Sequence, residues 1–275
     1  MSPVGLLTTI GPNMNPDWFR LAARSVRTPT TDIHWLIAAP HQIVQKVKDV
    51  LWAEGLDKHV QFDVFTRHTG NVAHVRNFLA TQTDAEYIMQ FDCDDILCGS
   101  GLDEMVFETD MTGRAWGASP ITDFNERISP VHDVPDIEEM KFPGTTVPKK
   151  KIFQTRRKLR SITPMGIGVI HPGSCIFNRE MFLLLGGQDE WLGNLWEDYI
   201  PLMLFSMAYD GAWSSIPTLI YRKHDNSLIA AEVSPESEKW YDEYLCSIED
   251  MAEEIVDRGD PLQDMNISAL RKRLP

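Results

Sequence analysis

The sequence predicts an α/β fold with a mostly parallel central sheet flanked by helices, and three observations carry that prediction. Short apolar runs alternate with stretches of helical periodicity through the N-terminal portion, the signature of βαβ winding. One such run, Tyr87–Phe91, stops at three carboxylates, Asp92, Asp94 and Asp95. Apolar runs of this kind belong to strands buried on both faces, and ligands of open α/β sheets bind beyond the carboxyl ends of such strands. The chain has 275 residues, 43% hydrophobic and 24% charged, which suffices for a substantial core in one large domain or two smaller ones.

Val4–Ile10 reads as the first strand, ended by Gly11-Pro12-Asn13, and Pro16–Val26 as a helix turning Trp18, Leu21, Ala22 and Val26 toward the sheet. Ile33–Ala39 is a second strand, stopped by Pro40. His41–Glu54 then carries Ile43, Val44, Val47, Val50 and Leu51 at helical spacing. Val60–Phe65 gives a third strand, and His74–Thr83 a helix leading into the strand with the carboxylates. From Gly99 the pattern loosens. Leu102–Phe107 is a helix candidate and Ala115–Ala118 a strand, while residues 120–160, rich in proline and charge, read as a mobile loop. Order returns at Gly166–Phe177. A helix Arg179–Leu185 follows, closed by Gly186-Gly187 in the C-cap position, then a buried helix Tyr199–Tyr209 ended by Gly211, and a last strand Thr218–Tyr221. Ser234-Pro235 opens an amphipathic helix with Trp240, Tyr241, Tyr244, Leu245, Ile248, Met251 and Ile255 on one stripe.

The net charge of −14 argues against broad nucleic-acid binding by the whole surface. Lys149, Lys150, Lys151, Arg156, Arg157, Lys158 and Arg160 nevertheless crowd one segment. Such a run is a solvated face or loop, or an arm for a polyanionic acceptor or a diphosphate. No apolar stretch approaches the length of a membrane span. The start MSPVGLLTTI lacks the marks of a secretory leader, and Cys93, Cys98, Cys175 and Cys246 lack zinc-site spacing. Free thiols in a reducing cytoplasm are therefore expected.

Three anions at one strand end repel one another and lose hydration unless something positive sits between them. A hard divalent cation carrying phosphate oxygens meets that need; the alternative is a helix N-terminus whose N–H groups the Asp residues cap. Three further pieces bear on the choice: Arg76-Asn77 within HTGNVAHVRNFLA, Gly186-Gly187 through Glu197-Asp198-Tyr199, and Tyr221-Arg222-Lys223-His224. Together with AEYIMQFDCDDIL they resemble the family 2-like glycosyltransferases of the GT-A fold over roughly residues 4–228. That family shows a strand ending in Asp-x-Asp-Asp, an upstream Arg-Asn, a Gly-Gly-x-Asp-Glu turn and a Glu-Asp pair.

The resemblance implies inverting transfer of a sugar from a nucleotide diphosphate, UDP by default, to an acceptor hydroxyl. It implies Mn²⁺ or Mg²⁺ held by Asp94, with Asp92 as co-ligand or ribose contact and His224 as a further ligand or phosphate contact. Arg76 pairs with the diphosphate in this scheme, and Thr8, Thr9, Ile10 and Cys93 join Arg76 and Asp92 on the donor side. Asp198 is the first choice of general base and Glu197 the second. His171, Gly173 and Ser174 of GIGVIHPGSCIF, with Trp196, fall on the acceptor side. Two segments depart from the family: TTIGPN replaces a Pro-Thr-Tyr-Asn-like sequence, and Ala38-Ala39-Pro40 replaces a strand end that often carries an acidic residue for the base. The chain then divides into a glycosyltransferase domain, 1–228, and a C-terminal helix and tail, 229–275, which docks on the domain or forms a homodimer contact. Within the domain, 1–98 is the nucleotide-binding half and 99–228 the acceptor-side half. A glycan, a protein side chain or a phosphate-bearing acceptor, nucleic acid included, would fit. The rivals are a nucleotidyltransferase acting on a sugar phosphate, whose basic Gly-rich loop after the first strand is missing here, and a non-catalytic binding domain of the same fold.

Overall fold

The computed structural model describes residues 1–125, 170–192, 197–209, 211–224, 240–255 in part, and 265–273. Four strands, β1 (Val4–Thr9), β2 (Ile33–Ala39), β3 (Gln61–Thr66) and β4 (Tyr87–Gln90), form the parallel half of a seven-stranded sheet. Its order is β3-β2-β1-β4-β8-β6-β9. β8 (Cys175–Asn178) runs antiparallel to β4 and to β6 (Trp116–Ala118), and β9 (Ala212–Trp213) runs parallel to β6. A smaller sheet places β10 (Leu219–Lys223) between β5 (Ile96–Leu97) and β7 (Ile121–Asn125). β7 falls where a loop was expected, because the pairing that makes it a strand comes from β10, distant in sequence. Residues 126–160, the basic segment at 149–160 among them, and Ser234-Pro235 lie outside the described residues.

The helices begin where their caps allow. Asn15 accepts from the N–H groups of Asp17 and Trp18 to open α1 (Pro16–Ser25), with Pro16 at the first position. Asn71 accepts from His74 N to open α3 (Val72–Ala80), two residues earlier than the apolar pattern predicts. α2 (Val44–Ala53) starts later than expected, since residues 41–43 form a turn closed by Ile43 N on Pro40 O. α4 (Gly99–Thr112) outruns its predicted core at both ends. α5 (Arg179–Leu184) ends in Gly186 and Gly187, both left-handed at φ +94° and +69°, a region costly for residues with a Cβ. A Cβ at Gly187 would also lie 2.2 Å from Asn77 Oδ1. α6 (Tyr199–Ala208) follows with Asp198 at its N-cap.

Because strand side chains alternate between faces, neighbouring residues feed two cores. Leu6, Trp35, Ile37, Met89 and Phe91 pack with Phe19 and Val47 of α1 and α2 on one face. Leu7, Leu36, Ile88 and Phe177 pack with Val75, Phe182 and Phe205 on the other. Tyr244, Ile248 and Ile255 of the C-terminal stripe, and Ile267 and Leu270 beyond it, join that second core. Tyr241 and Leu245 lie outside the described residues.

Candidate active site

The acidic turn connects β4 to β5, and α4 begins only at Gly99, so Asp92, Asp94 and Asp95 cap no helix. The turn closes on itself through Asp95 N on Asp92 O at 3.2 Å, and its carboxylates meet two different sets of partners. Asp92 turns to α3, where Arg76 Nη2 donates to Asp92 Oδ1 at 2.5 Å. Arg76 Nη1 reaches Glu197 Oε1 at 3.3 Å and Gln90 Oε1 at 3.4 Å. Burial opposes the guanidinium charge, but Asp92, Glu197 and Asp198 outweigh it and hold the Arg76 pKa above its ordinary value. Arg76, expected on the donor side, here meets acidic side chains of the protein itself. With 6% of its side chain exposed and both terminal nitrogens engaged, it is the buried cation around which the acidic groups assemble.

Asp198 and Glu197 enter from the start of α6. The Asp198 side chain makes no capping bond, so its place is set elsewhere: Gln90 Nε2 donates to Asp198 Oδ2 at 3.1 Å. Gln188 Nε2 donates to Gln90 Oε1 at 2.7 Å. Asn77 grips the backbone of Gln188 from both sides, accepting from its N–H at 2.8 Å and donating to its carbonyl at 2.9 Å. The Arg-Asn pair and the Gly-Gly-x-Asp-Glu turn thus form one hydrogen-bonded frame. Burial, then repulsion from Asp198, pushes Glu197 up to about 8 against the opposing pull of Arg76. Partial burial and the charges of Asp94 and Asp198 likewise raise Asp92, with Arg76 opposing them.

The other half of the turn faces β10. His224 Nε2 lies 2.7 Å from Asp94 Oδ2, Arg222 Nε donates to Asp94 O at 2.7 Å, and Arg222 N donates to Asp95 Oδ1 at 2.9 Å. Trp18 of α1 packs on the His224 ring, with centroids 4.5 Å apart, and under the Arg222 guanidinium at 5.2 Å. Burial and its two acidic neighbours push Asp95 well above the carboxylate range. Burial and the three surrounding Asp residues do the same to the Cys93 thiol, which stays protonated.

Several expected site residues serve the scaffold instead. Thr8 Oγ1 donates to Phe91 O at 2.6 Å and accepts from Trp35 Nε1 at 2.7 Å, while the Ile10 side chain is wholly buried; neither side chain is available as a donor contact. Thr9 Oγ1 is buried without a hydrogen-bond partner among the described residues. Ser174 is also fully buried and bonds the carbonyls of Ser119 and His171, so its hydroxyl shapes a turn and offers nothing to an acceptor. His171 Nδ1 accepts from Gly173 N at 3.1 Å, and its ring packs on Tyr221 at 4.7 Å while lying close enough to lower the Asp92 pKa. Trp196 lies outside the described residues. Gln90, Gln188, Trp18 and Arg222 are the residues that sequence reasoning missed. The only signal for Gln90 was an amide inside an otherwise apolar run immediately before the acidic turn.

Asp94 and His224 present one carboxylate and one imidazole nitrogen at mutual contact, a donor pair suited to a divalent ion that fills its other positions with diphosphate or water oxygens. No set of three such side chains converges among the described residues. No helix among the described residues is long and apolar enough to cross a membrane.

No family model and no curated protein matches the sequence. Solved structures do. S. aureus TarS 1-349 in complex with UDP-GlcNAc is 11% identical with a TM-score of 0.57, over 90% of this chain and 66% of that one. The same fragment in complex with UDP is 15% identical with a TM-score of 0.53, over 90% and 65%. The longer S. aureus TarS chain is 14% identical with a TM-score of 0.51, over 92% and 42%. The chain therefore spans less than two thirds of each of these TarS chains. At such identities the likeness shows the fold, which is the GT-A fold with its mostly parallel sheet.

Proposed function

We propose that this chain is a nucleotide-sugar glycosyltransferase that moves a sugar, with inversion, from a nucleoside diphosphate to an acceptor hydroxyl, and that Asp198 is its general base. The observation that carries this reading is the convergence of Asp92 from the end of β4 with Glu197 and Asp198 from the start of α6 around the buried Arg76. That convergence lies at the carboxyl end of a parallel strand, where such folds bind ligands. The TarS structures with UDP and UDP-GlcNAc bound support the donor class.

Asp198 takes the proton of the incoming hydroxyl as that oxygen bonds to the anomeric carbon and the bond to the departing phosphate oxygen breaks from the opposite face. Gln90 occupies Asp198 Oδ2, which leaves the other carboxylate oxygen to act. Glu197 suits the role less, since a group titrating at about 8 still holds its proton at neutral pH. Asp94 and His224 would hold a Mn²⁺ or Mg²⁺ ion. Such an ion supplies Lewis-acid neutralisation of the leaving diphosphate when bound. Asp92, 46% exposed on its side chain, stays open to the donor ribose while Arg76 fixes one of its oxygens.

A thermal-shift screen of nucleotide sugars, UDP-GlcNAc among them, with and without Mn²⁺ tests the reading. A ligand at a hundred times its Kd stabilises by about 2.7 kcal/mol, and the expected result is a metal-dependent rise in Tm with at least one donor. A flat response across every nucleotide sugar, with metal and without, sinks it.

A further inference from the structure

We infer that Gln90 is the positioning residue of the proposed base: its amide fixes Asp198 in place and links it to the positive charge of Arg76. The inference rests on the reading of Asp198 as base. Gln90 is the last residue of β4, with 9% of its surface exposed, and three partners leave its amide one orientation. Arg76 carries only donors, so the edge 3.4 Å from Arg76 Nη1 has to be the Gln90 oxygen. The same oxygen accepts from Gln188 Nε2 at 2.7 Å. The NH₂ group is thereby turned outward to Asp198 Oδ2 at 3.1 Å.

The frame behind Gln90 is itself held. Gln188 is gripped through its backbone by Asn77, and Gly187 gives the Asn77 side chain the room it needs. Asp198 has no capping bond to α6, so its rotamer depends on Gln90 rather than on its own helix. The charged and titratable groups that face it are Arg76 on α3, Glu197 beside it, Asp92 on the acidic turn and the Cys175 thiol of β8. Arg76 is the cation of that group, and Gln90 stands between it and Asp198. A base displaced by about 1 Å costs on the order of a hundredfold in rate, so the position of this amide matters.

Two variants test the inference. Gln90→Met keeps the volume and removes both polar ends. Gln90→Glu keeps an acceptor for Arg76 and Gln188 and, assayed at a pH that ionises the new carboxyl, has no donor for Asp198; it safeguards the test if the Met variant folds poorly. Release of UDP from UDP-sugars is followed with Mn²⁺, and kcat, donor KM and Tm are measured separately. The expected result for Gln90→Glu is a kcat lowered about 10- to 100-fold, a donor KM within about twofold of wild type and a Tm close to wild type. A folded Gln90→Glu enzyme with kcat within about twofold of wild type overturns the inference while Asp198→Asn is inactive. So does a kcat loss matched by equal losses in donor binding and Tm, which marks a purely structural role. Full turnover by Asp198→Asn removes the base assignment and this inference with it, and a wild-type protein silent on every UDP-sugar removes both as well.

Discussion

At the N-terminal end of β4, Tyr87 and Glu86 line a cavity of about 620 Å³, together with Ser2, Asp110, Asn178 and Tyr209. At the C-terminal end of the same strand the space is pinched, and Gln90, Gln188 and Asp198 crowd together. Both ends hold carboxylates. At the roomy end, Glu86 and Asp110 accept from the side chain and backbone of Ser2 at 2.7 and 3.0 Å, and burial followed by those two acids pushes the Tyr87 phenol up. At the crowded end, Asp92, Glu197 and Asp198 arrive from different elements and share the field of one buried guanidinium. Convergent charge at the carboxyl ends of parallel strands marks chemistry better than open volume does.

The sharpest way to break this contrast is Asp94→Ala. Removing the carboxylate in contact with His224 should abolish both turnover and the metal-dependent part of nucleotide binding, read as loss of the Mn²⁺-dependent Tm shift. Asp198→Asn comes next: turnover should fall about 10²- to 10⁴-fold with nucleotide binding intact by calorimetry. Equal loss of binding would place Asp198 in the donor site instead.

Arg76→Met strips the shared cation from its buried carboxylates. Breaking a buried charge network from one side costs about 3–5 kcal/mol, measurable as a lowered midpoint in urea. An unchanged midpoint would mean the guanidinium is not the organising charge.

Glu197→Gln probes the same network through pH. The folded protein binds the Glu197 proton up to about pH 8, well above an ordinary carboxylate. Its contribution to stability is therefore complete below the unfolded pKa, near 4.3, and is lost as pH rises through about 8. The Gln variant, fixed in the neutral form, should lose less stability than wild type between pH 6 and 9, by up to a few kcal/mol at about 1.4 kcal/mol per pH unit. Parallel Tm–pH curves for the two proteins would refute it. At the other pole, Arg114→Ala on the rim of the large cavity should change Tm and nucleotide binding hardly at all, within about 0.5 kcal/mol.

Much of this architecture was readable in the chain because its signals are local. Ile33–Ala39 spans the bounds of β2 as its apolar run predicts, since a strand buried on both faces needs only apolar residues and a Pro to stop it. The Gly186-Gly187 turn follows from the left-handed backbone both glycines adopt. β7 and β9 were not readable, because their strand identity comes from partners elsewhere in the chain. The same limit hid the role of Arg76. An arginine on a helix surface and one buried among acids look alike in sequence, and only the packing shows Arg76 buried among Asp92, Gln90 and Glu197.

The sequence by itself determined the strand and helix periods, the capping residues and the run of carboxylates at a strand end, all of which follow from near neighbours. Only the tertiary structure decided which carboxylates the Arg76 guanidinium serves and brought His224 into contact with Asp94. Arg76 meets Glu197 from 121 positions away and His224 meets Asp94 from 130. Contacts over such separations are set by how the sheet and helices pack, and residue spacing along the chain carries no record of them.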